Sequence, residues 1–391
     1  MKKNSAAPAP ETGLPELGRE EIFRYSRHLL LPEVGLTGQK KLKNSRVLLV
    51  GAGGLGSPAA MYLAAAGIGH IGIIDNDRVD ESNLQRQIIH GSKDIGRPKT
   101  ASARKSIRRI NPHIHVMTYD TTLSSANALE IFSGFDIIVD GTDNFAVRYL
   151  INDACALLGK PDVYGAVYRF EGQASVFDAK RGCCLRCLMP EPPAPGDVPS
   201  CGEGGVLGVL PGIVGCIQAA EVIRLILSDE ASLISKLLTF DAWTMRFHTF
   251  VVPKNTDCPL CGENPRIRVL TDYEQFCGQR RAPDSVEEIS PKALEALLGG
   301  GVKPQIIDVR LPEEMEISRF PGAKAIPLKQ LARRMNELDP AQDVVFVCKQ
   351  GDKSAVAVEM LREEGYTGRM LSLKGGLNAW AGEVDASMTA Y

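Results

Sequence analysis

Three groups of residues in this chain have the types and spacing that chemistry requires. Gly51, Gly53 and Gly56 form G-x-G-x-x-G, with Gly54 an extra glycine inside it. Glycines let a backbone approach a phosphate, and a helix starting there offers free N–H groups and partial positive charge. Asp75 follows about 20 positions later, where a carboxylate can accept hydrogen bonds from ribose hydroxyls. The second group is Cys184-x-x-Cys187 and Cys258-x-x-Cys261, two pairs whose spacing suits a tetrahedral four-thiolate zinc site. Cys183 is an alternative to Cys184, but it would stand x3 from Cys187. The third is Cys348, followed by K-Q-G-D-K-S. Backbone N–H groups at a helix start, with Lys349 and Lys353, are expected to favour its thiolate and lower its pKa from about 8.5. Such a cradle holds a persulfide or another anion. A phosphatase would need arginine six positions after the cysteine, and Ser354 stands there instead.

The patterning supplies elements to position these groups. Val47 to Val50 reads as a buried strand, Pro58 suits a first helical turn, Ala59 to Ala66 is helix-forming, and Gly67 can end that helix in the left-handed region. Ile71 to Ile74 is a second strand with Asp75 at its end, completing a βαβ unit. Open α/β sheets bind ligands at the carboxyl ends of their strands, so the polar run from Asn76 to Gln87 belongs beside the nucleotide. It contains Asp77, Ser82, Asn83 and Arg86, of which Asn83 and Arg86 can contact sugar or phosphate. Lys99, at the start of a helical pattern from Thr100 to Ile110, is a phosphate partner or an ordinary surface lysine. Asp143 and Asn144 follow the strand D-I-I-V; Asp143 there can hold Mg²⁺ or cap the helix beginning near Phe145. Glu20 to Leu30 reads as an amphipathic helix with Ile22, Phe23, Leu29 and Leu30 available for packing. It carries Arg24 and Arg27 on one face, either solvated or reaching an anion. Val163 to Phe177 reads as further strands. Leu188 to Gly205, rich in proline, reads as a mobile loop with Cys201 near its end, an incidental thiol or a nucleophile. Val209 to Leu227 reads as a long buried helix. After residues 266–284, a linker, a second α/β pattern follows: helix from Pro291, strand from Gln305, helix from Leu328, strand Val344 to Val347, then Cys348 and a helix from Ala355.

Totals bound the answer. The 391 residues are enough for two or three domains, and 45 basic against 47 acidic residues give no basis for nucleic-acid binding. No run approaches 18 apolar residues, so no membrane span is expected. Met1 to Pro10 lacks the apolar stretch of a secretory signal, so residues 1–19 read as a disordered tail. Ten cysteines, four of them in C-x-x-C pairs, point to metal in a reducing cytoplasm rather than to disulfides.

Residues 20–265 resemble the MoeB/ThiF-type adenylyltransferases, relatives of the ubiquitin-activating enzymes. The resemblance rests on R-Y-S-R-H, G-A-G-G-L-G, I-I-D-N-D, S-N-L-Q-R-Q, G-R-P-K, G-T-D-N, C-L-R-C and C-P-L-C. Residues 285–391 resemble a rhodanese domain through I-I-D-V-R, C-K-Q-G-D-K-S and L-K-G-G-L-N-A-W. This order, with D-Y-E-Q-F-C-G between, is similar to the two-domain adenylyltransferase–sulfurtransferases. The resemblance implies an α/β fold: a Rossmann-like ubiquitin-activating-type domain with structural zinc, then a rhodanese-like α/β domain. It implies that Gly51, Gly53, Gly54, Gly56, Asp75, Asp77, Ser82, Asn83, Arg86, Lys99, Asp143 and Asn144 bind ATP, and that Asp143 helps bind Mg²⁺. It implies that Arg27 reaches the triphosphate from the partner subunit of a homodimer. Cys184, Cys187, Cys258 and Cys261 would hold zinc, Cys201 would meet the activated carrier, and Cys348 would carry a persulfide. The implied reaction is adenylation of the C-terminal glycine of a ubiquitin-like sulfur carrier ending in Gly-Gly, then sulfur transfer to give a thiocarboxylate. That would serve molybdenum cofactor, thiamine, cysteine or tRNA thiolation. I-S-R-F-P-G-A at 317–323 and Lys353, where arginine is common, depart from the rhodanese pattern. They leave the donor open between thiosulfate and a persulfide-bearing desulfurase. Two other readings share features of the sequence: an NAD(P)-dependent oxidoreductase, through the glycines, and a non-catalytic scaffold.

Overall fold

A computed structural model describes residues 13–192, 204–228, 233–273, 286–301 and 304–391. The chain divides into two compact units on either side of Gly278. In the first, a mixed sheet of eight strands has the order β3-β2-β1-β4-β5-β6-β7-β8. Its parallel half is β1 (Arg46–Val50), β2 (His70–Ile74), β3 (His115–Tyr119), β4 (Ile137–Asp140) and β5 (Asp162–Tyr168). The central strands β1, β2 and β4 are short, rich in β-branched residues and buried on both faces, as a sheet covered by helices on both sides demands. The antiparallel half continues through β6 (Glu171–Phe177), β7 (Lys236–Asp241) and β8 (Arg246–Val251).

The helix after β1, Gly56–Ala66, ends at Gly67 with φ of 87°, as its sequence requires. The winding order reverses at β1, with β2 and β3 added on one side and β4 and β5 on the other, all parallel, so the loops after β1, β2 and β4 share one crevice at the sheet's carboxyl edge. One layer of the core packs Leu49, Ile71, Ile73 and Val139 on Leu63 and Ile107; the other packs Leu48, Ile138 and Tyr149 on Phe132 and Phe135.

Val209–Leu227 is 19 residues long and, among the described residues, the one helix long and apolar enough to cross a membrane. It is not an unbroken apolar run, since Gln218, Glu221 and Arg224 interrupt it. Its composition has another cause: it packs on β5, β6 and the Gly56–Ala66 helix. It buries Gln218 and Glu221, with Gln218 Nε2 donating to the carbonyls of Asp140 and Val163.

The expected helix from Glu20 to Leu30 is two short ones, Arg19–Arg24 and Ser26–Leu29, broken at Tyr25. Tyr25 is buried and bonded to Asn111, while Ile22, Phe23 and Leu30 face outward rather than into the core. Of the proposed tail, Glu16 accepts from Lys40 and its carbonyl from Lys43; residues 1–12 lie outside the described residues. Of residues 266–284, Asp272 bonds to Ser125, and Tyr273 is buried against Arg186 and Asp153.

The second unit is a five-stranded parallel sheet of order β11-β10-β12-β13-β9. Its strands are β9 (Glu288–Ile289), β10 (Gln305–Asp308), β11 (Lys324–Ala325), β12 (Val344–Val347) and β13 (Met370–Leu373). Central β12 is fully buried and delivers Cys348 to its carboxyl end, where helix Asp352–Glu363 begins three residues earlier than its sequence pattern suggests.

Candidate functional site

The first unit's crevice is an open cleft. It is lined by Gly51, Gly53, Gly54, Asp75, Asp77, Asn83, Arg86, Lys99, Asp143 and Asn144, among others. Gly51 has φ of 96°, and a side chain on it would strike the Gly141 carbonyl at 2.9 Å. Gly56 lies beneath the cleft, where a side chain would collide with the Gly51 carbonyl, so its smallness serves helix–strand contact. Gly53 differs from both. A Cβ there would meet only Gln87 Nε2, at 3.6 Å, so it is space above the loop, not protein, that a side chain would fill. That is where a phosphate approaches a glycine loop.

Asp75 braces this loop, its Oδ2 accepting the Ala52 N–H and its Oδ1 the Asp77 N–H, both at 2.8 Å. Burial raises its pKa, while Lys99 and those two N–H groups oppose the rise. Lys99 is almost fully buried and pairs with exposed Asp77 at 2.7 Å. Arg86 is aimed by two acceptors, the Ser82 carbonyl and Asn83 Oδ1. Ser82 itself does not line the cleft; its hydroxyl is held by Asp80. Asn144, not Asp143, caps the helix Phe145–Leu158, its Oδ1 accepting the Val147 N–H. Asp143 is thereby left to the cleft.

Two residues here carried no individual weight in the sequence. Gln87 lines the cleft, donates to Asn83 Oδ1, and keeps a buried Oε1 that has no partner among the described residues. Its signal was available, since it stands four positions after Asn83. His90 is buried between Ser102 and the Ala52 carbonyl. Burial lowers its pKa, so the neutral ring donates from Nε2 to that carbonyl and accepts from Ser102 at Nδ1. No local pattern links it to Ala52, because the contact is tertiary.

The four cysteine sulfurs of the two pairs lie within 4.8 Å of one another. Cys184–Cys258 is 3.6 Å, Cys187–Cys261 3.4 Å and Cys184–Cys187 4.0 Å. A tetrahedron of sulfurs around zinc has edges of about 3.8 Å, so the donor set fits that ion. The thiols share charge unevenly: neighbouring S–H groups hold Cys187 down to about 2, and Cys261 is pushed up to about 12. A bound dication is what permits all four to ionise together. Cys183 is excluded, because it is buried against Ser235 instead.

In the second unit, Cys348 Sγ accepts the N–H groups of Gly351 at 3.1 Å and Ser354 at 3.3 Å. Asp352 Oδ1 lies 3.4 Å away. Gly376 presses on this loop, and a side chain there would collide with Gln350 and the Cys348 carbonyl. The expected lowering of the thiol pKa is corrected. Burial pushes it up, Asp352 adds to the rise, and the Ser354 and Gly351 groups offset only part. Both loop lysines have other partners: Lys349 Nζ lies 4.6 Å from the Tyr391 ring centroid, and Lys353 faces Glu314 at 3.7 Å.

Residues 25–260 match the model of the ThiF family, and residues 290–383 that of the rhodanese-like domain. The chain belongs to the ThiF family. Beyond its ThiF domain it carries the rhodanese-like domain, and relatives share the pair. It is 47% identical over 386 residues to the probable adenylyltransferase/sulfurtransferase MoeZ of Mycobacterium tuberculosis, covering 96% of each chain. It is 39% identical to the adenylyltransferase and sulfurtransferase MOCS3 of Mus musculus, over 98% of this chain and 90% of that one. The ThiF domain's fold matches the crystal structure of Escherichia coli MccB with a TM-score of 0.55, at 22% identity, covering 62% of this chain and 75% of that one.

The ThiF domain thus gathers the glycines, Asp75, Asp77, Asn83, Arg86, Lys99, Asp143 and Asn144 at one cleft, and the four cysteines at one cluster. Arg27 is exposed and does not line the cleft. Cys201 lies outside the described residues.

Proposed function

We infer that this chain is an adenylyltransferase and sulfurtransferase acting on a ubiquitin-like sulfur carrier that ends in Gly-Gly. The observation that carries the inference is one chain holding a crevice that sets Arg86 and Lys99 beside a glycine loop and a cysteine cradled by backbone N–H groups. Family membership favours it over a nicotinamide-dependent oxidoreductase or an inert scaffold.

In the first half-reaction the carrier's terminal carboxylate attacks the α-phosphorus of ATP. The acyl–O–P bond forms, the bond to the β-phosphate oxygen breaks, and pyrophosphate leaves. Two anions must meet, so cationic groups placed beforehand lower the barrier. Arg86 is oriented for this by Ser82 and Asn83. Lys99 is buried with its charge held by Asp77, which a triphosphate can replace. Mg²⁺, with Asp143 as its ligand, would spread the charge of the leaving group. Asp75 fixes the loop and meets the ribose. Arg27, exposed and outside its own cleft, serves the partner's cleft in a homodimer, and outward-facing Ile22, Phe23 and Leu30 beside it supply apolar contact area. The carrier body docks on exposed Phe170, Leu207, Val209, Trp243 and Phe247, continuous with the cleft through Val167 and Val206.

In the second half-reaction a thiolate at Cys348 takes a sulfur from a donor persulfide or thiosulfate. The donor's S–S bond breaks, and thiol or sulfite leaves with the electron pair. The terminal sulfur of the Cys348 persulfide then attacks the acyl carbon and AMP departs. A second thiol, with Cys201 the candidate in this chain, attacks Cys348 Sγ of the resulting acyl disulfide, expels the carrier as its thiocarboxylate and forms a disulfide with Cys348, which an external thiol then reduces to restore both cysteines. The test is ATP–pyrophosphate exchange with a Gly-Gly-ended carrier, followed by mass analysis for the thiocarboxylate. Exchange without carrier modification would confine the reading to adenylation, and absence of both would refute it.

A further inference from the structure

Tyr391 lies against the loop that holds Cys348, and its N–H, a main-chain oxygen and its hydroxyl are all engaged. Its backbone is clamped by Asn378: the Tyr391 N–H donates to Asn378 Oδ1 at 3.3 Å, and Asn378 Nδ2 donates back to the Tyr391 carbonyl at 3.2 Å. Asn378 in turn donates its own N–H to the Lys349 carbonyl at 3.1 Å, so clamp and loop move together. The hydroxyl accepts from Arg310 Nη1 at 2.9 Å and reaches Glu314 Oε1 at 3.3 Å. Arg310 is fully buried and fixed by Asp308 through both its Nε and its Nη2. With both ends held, the ring has little freedom, and Lys349 Nζ sits 4.6 Å from its centroid. An ammonium over an aromatic face is attracted by the ring's quadrupole, yet keeps N–H groups for another anion. The lysine adjacent to the cysteine is thus pinned by a residue 42 positions away.

We propose that Tyr391 is a positioning residue for sulfur loading: its ring holds Lys349 at the mouth of the Cys348 cradle, where the ammonium receives the anionic end of the donor. This rests on Cys348 being the persulfide carrier. With thiosulfate as donor, Cys348 attacks the outer sulfur, sulfite leaves with the electron pair, and cyanide removes the sulfur as thiocyanate to restore the thiolate.

The experiment uses the full chain with thiosulfate and cyanide. Tyr391→Leu keeps apolar bulk but removes the π face, and should raise KM for thiosulfate about three- to tenfold with kcat within about twofold, the range a cation–π contact supports. Tyr391→Phe keeps the π face but loses the hydroxyl's bond to Arg310, so its KM should lie between those of wild type and Tyr391→Leu. Lys349→Met should raise KM similarly, and Tyr391→Leu added to it should raise KM no further, because the two act as one. A second readout is independent of turnover. Alkylation of Cys348 by anionic iodoacetate should slow more than alkylation by neutral iodoacetamide in Tyr391→Leu. An unchanged KM, Phe behaving like Leu, additive effects in the double variant, or equal slowing by both reagents would each overturn the proposal. Cys348→Ala separates the two readings: if it still transfers sulfur, the persulfide assignment fails, while the alkylation comparison in the Tyr391 variants still judges the role of the ring.

Discussion

Asn144 and Asp143 are adjacent, yet the structure gives them different work. Asn144 caps a helix, so Asn144→Ala should cost about 1 kcal/mol of stability, a fall of about 2–4 °C in melting temperature. Asp143 makes no cap, so Asp143→Ala should leave melting almost unchanged and instead abolish ATP–pyrophosphate exchange. The reverse pattern would exchange their roles. Cys348 is another case in which identity and environment part. Its thiol is held above the ordinary range by burial. The thiolate is the reactive form, so iodoacetamide alkylation at Cys348 should climb about tenfold per pH unit and still be rising past pH 8.5 or so. A plateau reached below pH 7 would show that the two N–H groups outweigh burial. Glycine loop, Asp75, Arg86 and Cys348 were legible because motif chemistry is local. His90 and Tyr391 were not, since each acts on residues remote in sequence.

At the scale of elements, the two C-x-x-C pairs illustrate what spacing can and cannot decide. Each pair is local, but the four sulfurs meet only because Cys258 and Cys261 return to the segment that carries Cys184. Cys258→Ser should remove bound zinc, read by metal analysis. A loss of about 3 kcal/mol would lower the melting temperature of a domain this size by about 6–12 °C. Unchanged zinc content would point to other ligands. The segment containing Arg27 shows the opposite limit. Periodicity suggested one amphipathic helix with Ile22, Phe23, Leu29 and Leu30 available for packing, whereas there are two short helices meeting at Tyr25, and Ile22, Phe23 and Leu30 are exposed. Apolar spacing reports a face, not what that face meets. Val209–Leu227 makes the same point, since a run apolar enough for lipid is here a helix packed on β5 and β6.

For the whole molecule, the decisive question is whether Arg27 works across a dimer. Arg27→Ala and Arg86→Ala should each abolish exchange alone. Mixed and reassembled, half the dimers are hybrids with one intact cleft, so about a quarter of wild-type activity should return if the interface is two-fold symmetric. No recovery in verified hybrids would place Arg27 in its own cleft or outside catalysis. Two chemistries on one chain also make the second encounter intramolecular. Severing the chain between the domains should therefore leave exchange intact and slow carrier thiocarboxylation at low protein concentration.

The sequence by itself determined the βαβ unit around a phosphate-suited glycine loop, the strand that precedes Asp143, the pairing of cysteines and the strand–loop–helix that carries Cys348. Each of these is written in spacings of a few residues, over which backbone geometry is nearly fixed. Only the tertiary structure decided which side chains share a cleft, that Asn144 rather than Asp143 serves the helix, that Cys183 stands apart from the four-cysteine cluster, and that the Cys348 thiol is raised rather than lowered. Those outcomes depend on burial and on partners far along the chain, and desolvation has no signature in a local pattern.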